Sequence, residues 1–294
     1  LFQAVCKLRF NILIWTKIEI TMRKYFIWVF VLFCLAGELK AGIVDTVAIK
    51  SQAMGRNFKC VVITPDTYKK GKQQFPVVYL LHGYSGNHSD WIKKVPSIQK
   101  LADTYQCILV CPDGGFSSWY FDSPIDNSMR YETLVAKEIP AYIDAHYRTR
   151  AESRYRAITG LSMGGHGALY LAVRHPETFG AAGSMSGGVD IRPFPKNWDI
   201  AKRLGTLEEQ PENWNNNTVM NVVEQLKPGK LALIIDCGIE DFFYAVNHNL
   251  HDKLMERGIA HDYSERPGSH TWEYWANSIQ YHMLFFSRFF NGIK

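Results

Sequence analysis

No CxxC pair and no Cys/His spacing of the zinc-ligand kind occurs among the 294 residues, which hold six cysteines in all. No zinc site is therefore suggested by the cysteines. There is no internal repeat, no low-complexity tract and no long run of like charge, which excludes a repeat array and a solvated linker or tail. Methionine is missing from the first 21 residues, so Met22 is the expected translation start and residues 1–21 an upstream extension. The stretch Tyr25 to Ala36, "YFIWVFVLFCLA", is only twelve residues long and too short to span a bilayer comfortably.

That short apolar run follows Met22-Arg23-Lys24 and is succeeded by Gly37-Glu38-Leu39-Lys40-Ala41. A basic start, an apolar stretch and a small residue at the cut read as a secretory signal peptide over residues 22–41. A lipid anchor on Cys34 would need a small residue before it, and Phe33 stands there. The first 41 residues carry six Lys/Arg and two Asp/Glu, so the remainder holds 27 against 26, a net of +1 where the whole chain has +5. The basic balance belongs mostly to the leader, and nucleic acid is not an expected partner. Export would permit disulfides, but Cys107, Cys111 and Cys237 sit in or beside apolar runs, where a cysteine acts as a small hydrophobe.

What the chain has in quantity is apolar and aromatic side chains, 47% and 14%. Runs at 59–65, 76–83, 107–114, 155–160, 180–188, 230–238 and 261–268 read as strands, several of them apolar throughout, as in a parallel sheet covered on both faces. Helical patterns lie at 131–146, 162–174, 242–257 and 271–289. The alternation predicts an α/β domain over 42–294, its sheet mainly parallel with helices on both faces and its first strands free to pair antiparallel. Residues 189–229 break the alternation with Pro, Asn and Trp and are expected as an insertion over one end of the sheet.

Ligands bind beyond the carboxyl ends of such strands. Four informative stretches fall there: His82-Gly83-Tyr84, Ser162, Asp236 to Asp241, and Gly268-Ser269-His270. In "AITGLSMGGHG" the strand at 155–160 runs into Ser162 and a helix follows at once, the strand–turn–helix setting of a nucleophile elbow. A serine hydroxyl needs a base. His248 and His251 fall on a helix, His261 begins a strand and His282 lies deep in the last helix. His270 is the histidine in a loop after a strand. Three acids are available in "LIIDCGIEDFF": Asp236, Glu240 and Asp241. Asp241 lies five residues beyond the strand end, where a carboxylate reaches back to an imidazole. The backbone N–H groups of Met163 and Tyr84 are the expected oxyanion donors.

The segments "LLHGYSGNHSDW", "CPDGGFSSWYFDSP", "ITGLSMGGHGAL", "HPETFGAAGSMSGG", "GIEDFFY" and "RPGSHTWEYW" resemble the esterase D-like esterase family, in order over about residues 45–290. That family includes S-formylglutathione hydrolases, tributyrin, feruloyl and acetyl-xylan esterases and, more distantly, mycolyltransferases. The resemblance implies an α/β-hydrolase fold, a catalytic triad of Ser162, Asp241 and His270, no cofactor and no metal. It also implies that Trp119-Tyr120 and Asp122-Ser123-Pro124 lie near the active site.

The expectation is a secreted or periplasmic serine esterase acting on acyl or feruloyl esters of plant polysaccharides or oligosaccharides. Aromatic side chains bury ring faces while leaving polar edges to hydrogen bond; Trp119, Tyr120, Trp198, Trp214 and Trp272, with Trp275 nearby, are therefore the expected substrate contacts. The rival expectations are a cytosolic thioesterase like S-formylglutathione hydrolase and a non-catalytic carbohydrate-binding relative. No stable membrane span is expected in the mature chain.

Overall fold

The computed structural model describes residues 43–69 and 71–293. The expected extension and signal peptide lie outside the described residues. Eight strands form one sheet: β1 Ile43–Lys50, β2 Asn57–Thr64, β3 Val77–Leu81, β4 Ile108–Pro112, β5 Arg156–Leu161, β6 Ala181–Met185, β7 Ala232–Gly238 and β8 Asp262–Arg266, in the order β1-β2-β4-β3-β5-β6-β7-β8. β1 pairs antiparallel with β2, and β2 antiparallel with β4. All remaining pairs are parallel. This is the α/β-hydrolase arrangement.

The interior strands are buried on both faces because helices cover both. Alternate side chains divide between the two layers. Val77, Tyr79, Leu81, Ile108, Val110 and Ile158 face one core, which includes Leu169 and Ala172 of α5 (Met163–Arg174) and Leu250 of α9 (Tyr244–Glu256). Val78, Leu80, Leu109, Ala157 and Ala181 face the other. That second core is closed by α1 (Asp90–Lys94), α2 (Ile98–Tyr105) and the apolar stripe Trp275, Ile279, Met283 and Phe286 of α10 (Trp272–Phe290). Each fully buried large apolar side chain contributes about 1.5–3 kcal/mol. The four cysteines of the described residues are buried and unbridged. Among the described residues no helix is long and apolar enough to cross a membrane.

Four parts of the chain differ from the sequence expectation. β1 has no expected counterpart because it is an edge strand with five of its first six residues at least one-third exposed, so no apolar run marks it. α1 and α2 are too short for their spacing to stand out, although α2 buries Ile98, Leu101 and Ala102. The helical pattern at 131–146 is α3 (Tyr131–Thr133), a π turn (Leu134–Glu138) and α4 (Ile139–His146). Segment 189–229 contains three short helices, α6 Ile200–Leu204, α7 Pro211–Asn216 and α8 Val219–Val222. It contacts the loops at the carboxyl end of the sheet through Trp198 and Asp199 and the first turn of α5 through Asn217.

Candidate active site

Ser162 stands between the last residue of β5 and the first of α5 with φ 55° and ψ −119°. Such a conformation costs a non-glycine residue on the order of 1–3 kcal/mol and survives only where its surroundings hold it. Here its N–H donates to the Met185 carbonyl at 3.0 Å, and its carbonyl accepts from the N–H groups of His166 and Gly188 at 3.0 and 3.3 Å. The turn closes because position 164 is glycine: a Cβ there would fall 2.6 Å from the carbonyl oxygens of both Leu81 and His82.

The loop after β3 lies against the serine. A Cβ built on Gly83 would sit 3.4 Å from the Cβ of Ser162. Its shape is held by His82, which sequence reasoning read only as part of a strand end. The Gly114 N–H donates to His82 Nε2 at 2.7 Å, so Nδ1 carries the proton and donates to the Gly83 carbonyl at 2.8 Å. Burial lowers the His82 pKa, which keeps the ring in this neutral form. Among the described residues, the N–H groups of Tyr84 and Met163 have no internal acceptor. Both flank Ser162 and remain available to a ligand.

His270 ends the loop after β8, and Thr271 then caps α10 by accepting from the Tyr274 N–H at 3.4 Å. Its Nδ1 faces both oxygens of Asp241, at 2.8 and 3.0 Å. The Asp241 side chain is fully buried, and one of its oxygens also accepts from the Phe243 N–H at 2.8 Å. The two loops are joined edge to edge. The Glu240 N–H donates to the Gly268 carbonyl at 3.1 Å and the Gly268 N–H to the Glu240 carboxylate at 2.6 Å. Only glycine fits at 238, where a Cβ would fall 2.1 Å from the Gly268 oxygen.

The three acids thus divide by role. Glu240 ties the loops together, Asp241 orients His270, and Asp236 is occupied in the interior by Arg266, Ser278 and His282 at 3.0, 3.0 and 3.2 Å. The other candidate histidines are also engaged elsewhere: His248 with Glu265, and His251 with His261.

The aromatic expectations need correction. Trp214 is fully buried, and its indole N–H donates to the Gly205 carbonyl at 2.9 Å. It anchors the insertion and does not face a ligand. Tyr120 is also fully buried, and its hydroxyl donates to the His82 carbonyl at 3.0 Å, bracing the loop beside Ser162. Trp119 is 1% exposed and donates to the Trp198 carbonyl at 3.1 Å. Both positions therefore support the site instead of touching a substrate. Trp272 packs edge-on against Trp91 and Trp275, with the Lys94 ammonium over its ring. Asp122 and Ser123 fasten their loop: Asp122 accepts from Thr133 and pairs with Arg130, and the Ser123 hydroxyl donates to the Arg203 carbonyl.

Trp275 packs edge-on with its ring 4.8 Å from that of His270, and Trp198 reaches the site through Phe242. Its ring stacks at 5.6 Å on Phe242, which lies 4.2 Å from the His270 ring. Phe242 is 52% exposed, and across the loop after β3 Phe116 is 59% exposed against Tyr84. Neither phenylalanine was singled out from the sequence. The position of Phe242, directly after Asp241, was the signal available.

Residues 51–286 match the model of the family described as "Putative esterase". The chain belongs to this esterase family. An esterase of Mycobacterium tuberculosis is 27% identical over 250 residues, 75% of this chain and 54% of the relative, so the chain spans about half the length of that relative. An acetyl esterase of Caldicellulosiruptor saccharolyticus is 26% identical over 219 residues, 70% of this chain and 81% of its own. A solved ferulic acid esterase superposes with a TM-score of 0.73 at 27% identity, covering 85% of this chain and 99% of that one. These similarities fit the eight-stranded sheet.

Proposed function

We propose that the chain is a serine carboxylesterase whose nucleophile, base and acid are Ser162, His270 and Asp241. The single observation that carries this reading is the Asp241–His270 pair at 2.8 Å. It commits Nδ1 and leaves Nε2 to take a proton. Ser162 Oγ attacks the ester carbonyl carbon as its proton passes to His270 Nε2. Asp241 stabilises the imidazolium, and the Met163 and Tyr84 N–H groups receive the oxyanion at the positive end of α5. Collapse expels the alcohol, which takes the proton from His270. Water then repeats the sequence on the acyl-enzyme and releases the acid.

The preferred substrate carries an aromatic or bulky apolar acyl group, of which a feruloyl ester on a plant oligosaccharide is the model. The exposed rings of Phe242 and Phe116, with Trp198 behind Phe242, support this preference. Aromatic contacts of this kind contribute about 0.5–1.5 kcal/mol beyond area burial. Export follows from the proposed signal peptide, with cleavage near Ala41-Gly42, and N-terminal sequencing of protein from the native host checks it. The activity is tested by hydrolysis of methyl ferulate, acetylated xylan and nitrophenyl acetate by wild type and Ser162→Ala. Loss of turnover on all three supports the nucleophile, and unchanged turnover in Ser162→Ala refutes it.

A further inference from the structure

The His270 imidazole lies among three aromatic rings. Phe242 rests against it at 4.2 Å with a tilt of 39°, Phe243 stands at 5.5 Å, and Trp275 stands perpendicular to it at 4.8 Å. Trp275 is 5% exposed and belongs to the second core. Among the described residues its indole N–H has no acceptor, so packing locates the ring. Trp272 packs on it edge-to-face at 5.5 Å, and Trp91 packs on Trp272 in the same way at 5.4 Å. The buried Trp91 of α1 donates its indole N–H to the Leu81 carbonyl at 3.2 Å. A row of rings thus runs from the end of β3, where the Tyr84 loop begins, to the imidazole.

We propose that Trp275 is a positioning residue that sets the plane of the His270 imidazole. The inference rests on the reading of His270 as the base. Asp241 offers two oxygens to Nδ1, at 2.8 and 3.0 Å, and so accepts its proton over an arc. The terminal torsion of a histidine is itself broad. The pair with Asp241 therefore holds Nδ1 without fixing where Nε2 points. Nε2 must meet Ser162 and then the leaving alcohol, and a displacement of about 1 Å in such a contact costs about 10²-fold in rate. A perpendicular ring that cannot retreat removes the swing.

The neighbouring rings have other duties. Phe242 is half exposed and yields to whatever occupies the site. Phe243 is buried but farther off, and its N–H is engaged with Asp241, so it fixes the acid. Trp275 is tied to the base through the backbone as well: its N–H donates at 3.1 Å to the carbonyl of Thr271, the residue after His270. Edge-to-face contact is a favoured geometry between aromatic rings, which makes the observed orientation a resting position.

The test is steady-state hydrolysis of nitrophenyl acetate by Trp275→Met, Trp275→Phe, His270→Ala and the double variant Trp275→Met/His270→Ala. Methionine fills much of the space without a flat face, and phenylalanine keeps one. Trp275→Met is expected to lower kcat about 10- to 100-fold with KM within about threefold. Trp275→Phe should return kcat to within about fivefold of wild type. In the His270→Ala background the methionine should cost no more than about twofold further, because it acts through the imidazole. Trp272→Met frees the indole from its far side and should lower kcat about threefold; it carries the test if Trp275→Met does not fold. Unchanged kcat in the folded variant overturns the proposal. So does an equal loss with and without His270, or a raised KM at constant kcat, which would make the indole a substrate contact. Wild-type kcat in His270→Ala would refute the base itself, a separate failure that takes this inference with it.

Discussion

The molecule contains two sets of a hydroxyl, a histidine and a carboxylate, with the hydroxyls and carboxylates a few residues apart at β5 and β7 and the histidines on the loop after β8 and on α10. Asp241, His270 and Ser162 stand at the carboxyl ends of β7, β8 and β5. Asp236, His282 and Thr159 lie one layer inward, with His282 Nε2 3.2 Å from Asp236 and its Nδ1 2.8 Å from the Thr159 hydroxyl. All three inner residues are fully buried. Arg266 and Ser278 occupy the Asp236 oxygens as well, so charge and hydrogen-bonding capacity are used up internally. The outer set differs in what surrounds it. The His270 side chain is 16% exposed, the serine is held at positive φ on a turn, and two unengaged N–H groups flank it. Reactive residue types are therefore not sufficient. An open position at a strand end separates a candidate catalytic set from a structural one.

The largest effect that sharpens this contrast is expected at the hydroxyls. Ser162→Ala should lower kcat by about 10³- to 10⁶-fold, the remainder coming from binding and the oxyanion donors. Thr159→Ser keeps the inner hydroxyl and should leave kcat within about twofold. Steady-state kinetics on nitrophenyl acetate checks both.

The acids should part in kind as well as size. Asp241→Asn is expected to cost up to about 10⁴-fold in kcat through the wrong imidazole tautomer, with the urea midpoint little changed. Asp236→Asn removes the buried carboxylate that pairs with the part-buried Arg266 guanidinium and should cost at most about 3–5 kcal/mol of stability. Its turnover per folded molecule should remain near wild type.

The tryptophans extend the comparison to the insertion. Trp198→Ala should lower kcat/KM for a feruloylated oligosaccharide about tenfold, with little change on nitrophenyl acetate. Trp214→Ala should instead lose about 3–5 kcal/mol of stability, as a buried ring does, and affect both substrates alike. Equal losses for both variants would make the whole insertion scaffold.

The smallest effect concerns another histidine–carboxylate pair remote in role from either set. Glu132 accepts from His175 and Arg174 at 2.8 and 2.9 Å and from Tyr170 at 3.0 Å. Burial pushes the Glu132 pKa up, but these hydrogen bonds outweigh it and hold it down at about 2. Burial likewise lowers the His175 pKa, and its bonds to Glu132 and Glu177 reverse that to a net rise above 6.5. A raised histidine pKa contributes stability that is complete below its unfolded value of about 6.5 and is lost as pH climbs through the folded value. The depressed Glu132 pKa acts oppositely: its contribution is present above the unfolded carboxylate value and falls away only as pH drops toward about 2. Between pH 6 and 9 the melting temperature advantage of wild type over His175→Gln should therefore shrink with rising pH.

Much of this was legible in the sequence for identifiable reasons. Strands buried on both faces, such as Val77–Leu81 and Ile108–Pro112, are uniformly apolar and read directly. The elbow declared itself through glycines that steric contact demands, and His270 through its place after a strand. β1 was missed because an exposed edge strand carries no apolar run. Trp214, Tyr120 and Trp119 were misassigned because composition counts an aromatic ring without saying which way it faces. His82 was missed as a strut because both of its bonds go to backbone atoms, one of them 32 residues away in the chain.

The account's central claim is that Ser162 is the nucleophile activated by His270 and Asp241. Mass spectrometry after reaction with a fluorophosphonate tests it most directly, with labelling rates compared across wild type, Asp241→Asn and Asp236→Asn. The account predicts a single adduct on Ser162, formed far more slowly in Asp241→Asn and at nearly the wild-type rate in folded Asp236→Asn. An adduct on another residue, or labelling abolished by Asp236→Asn and preserved in Asp241→Asn, would contradict it.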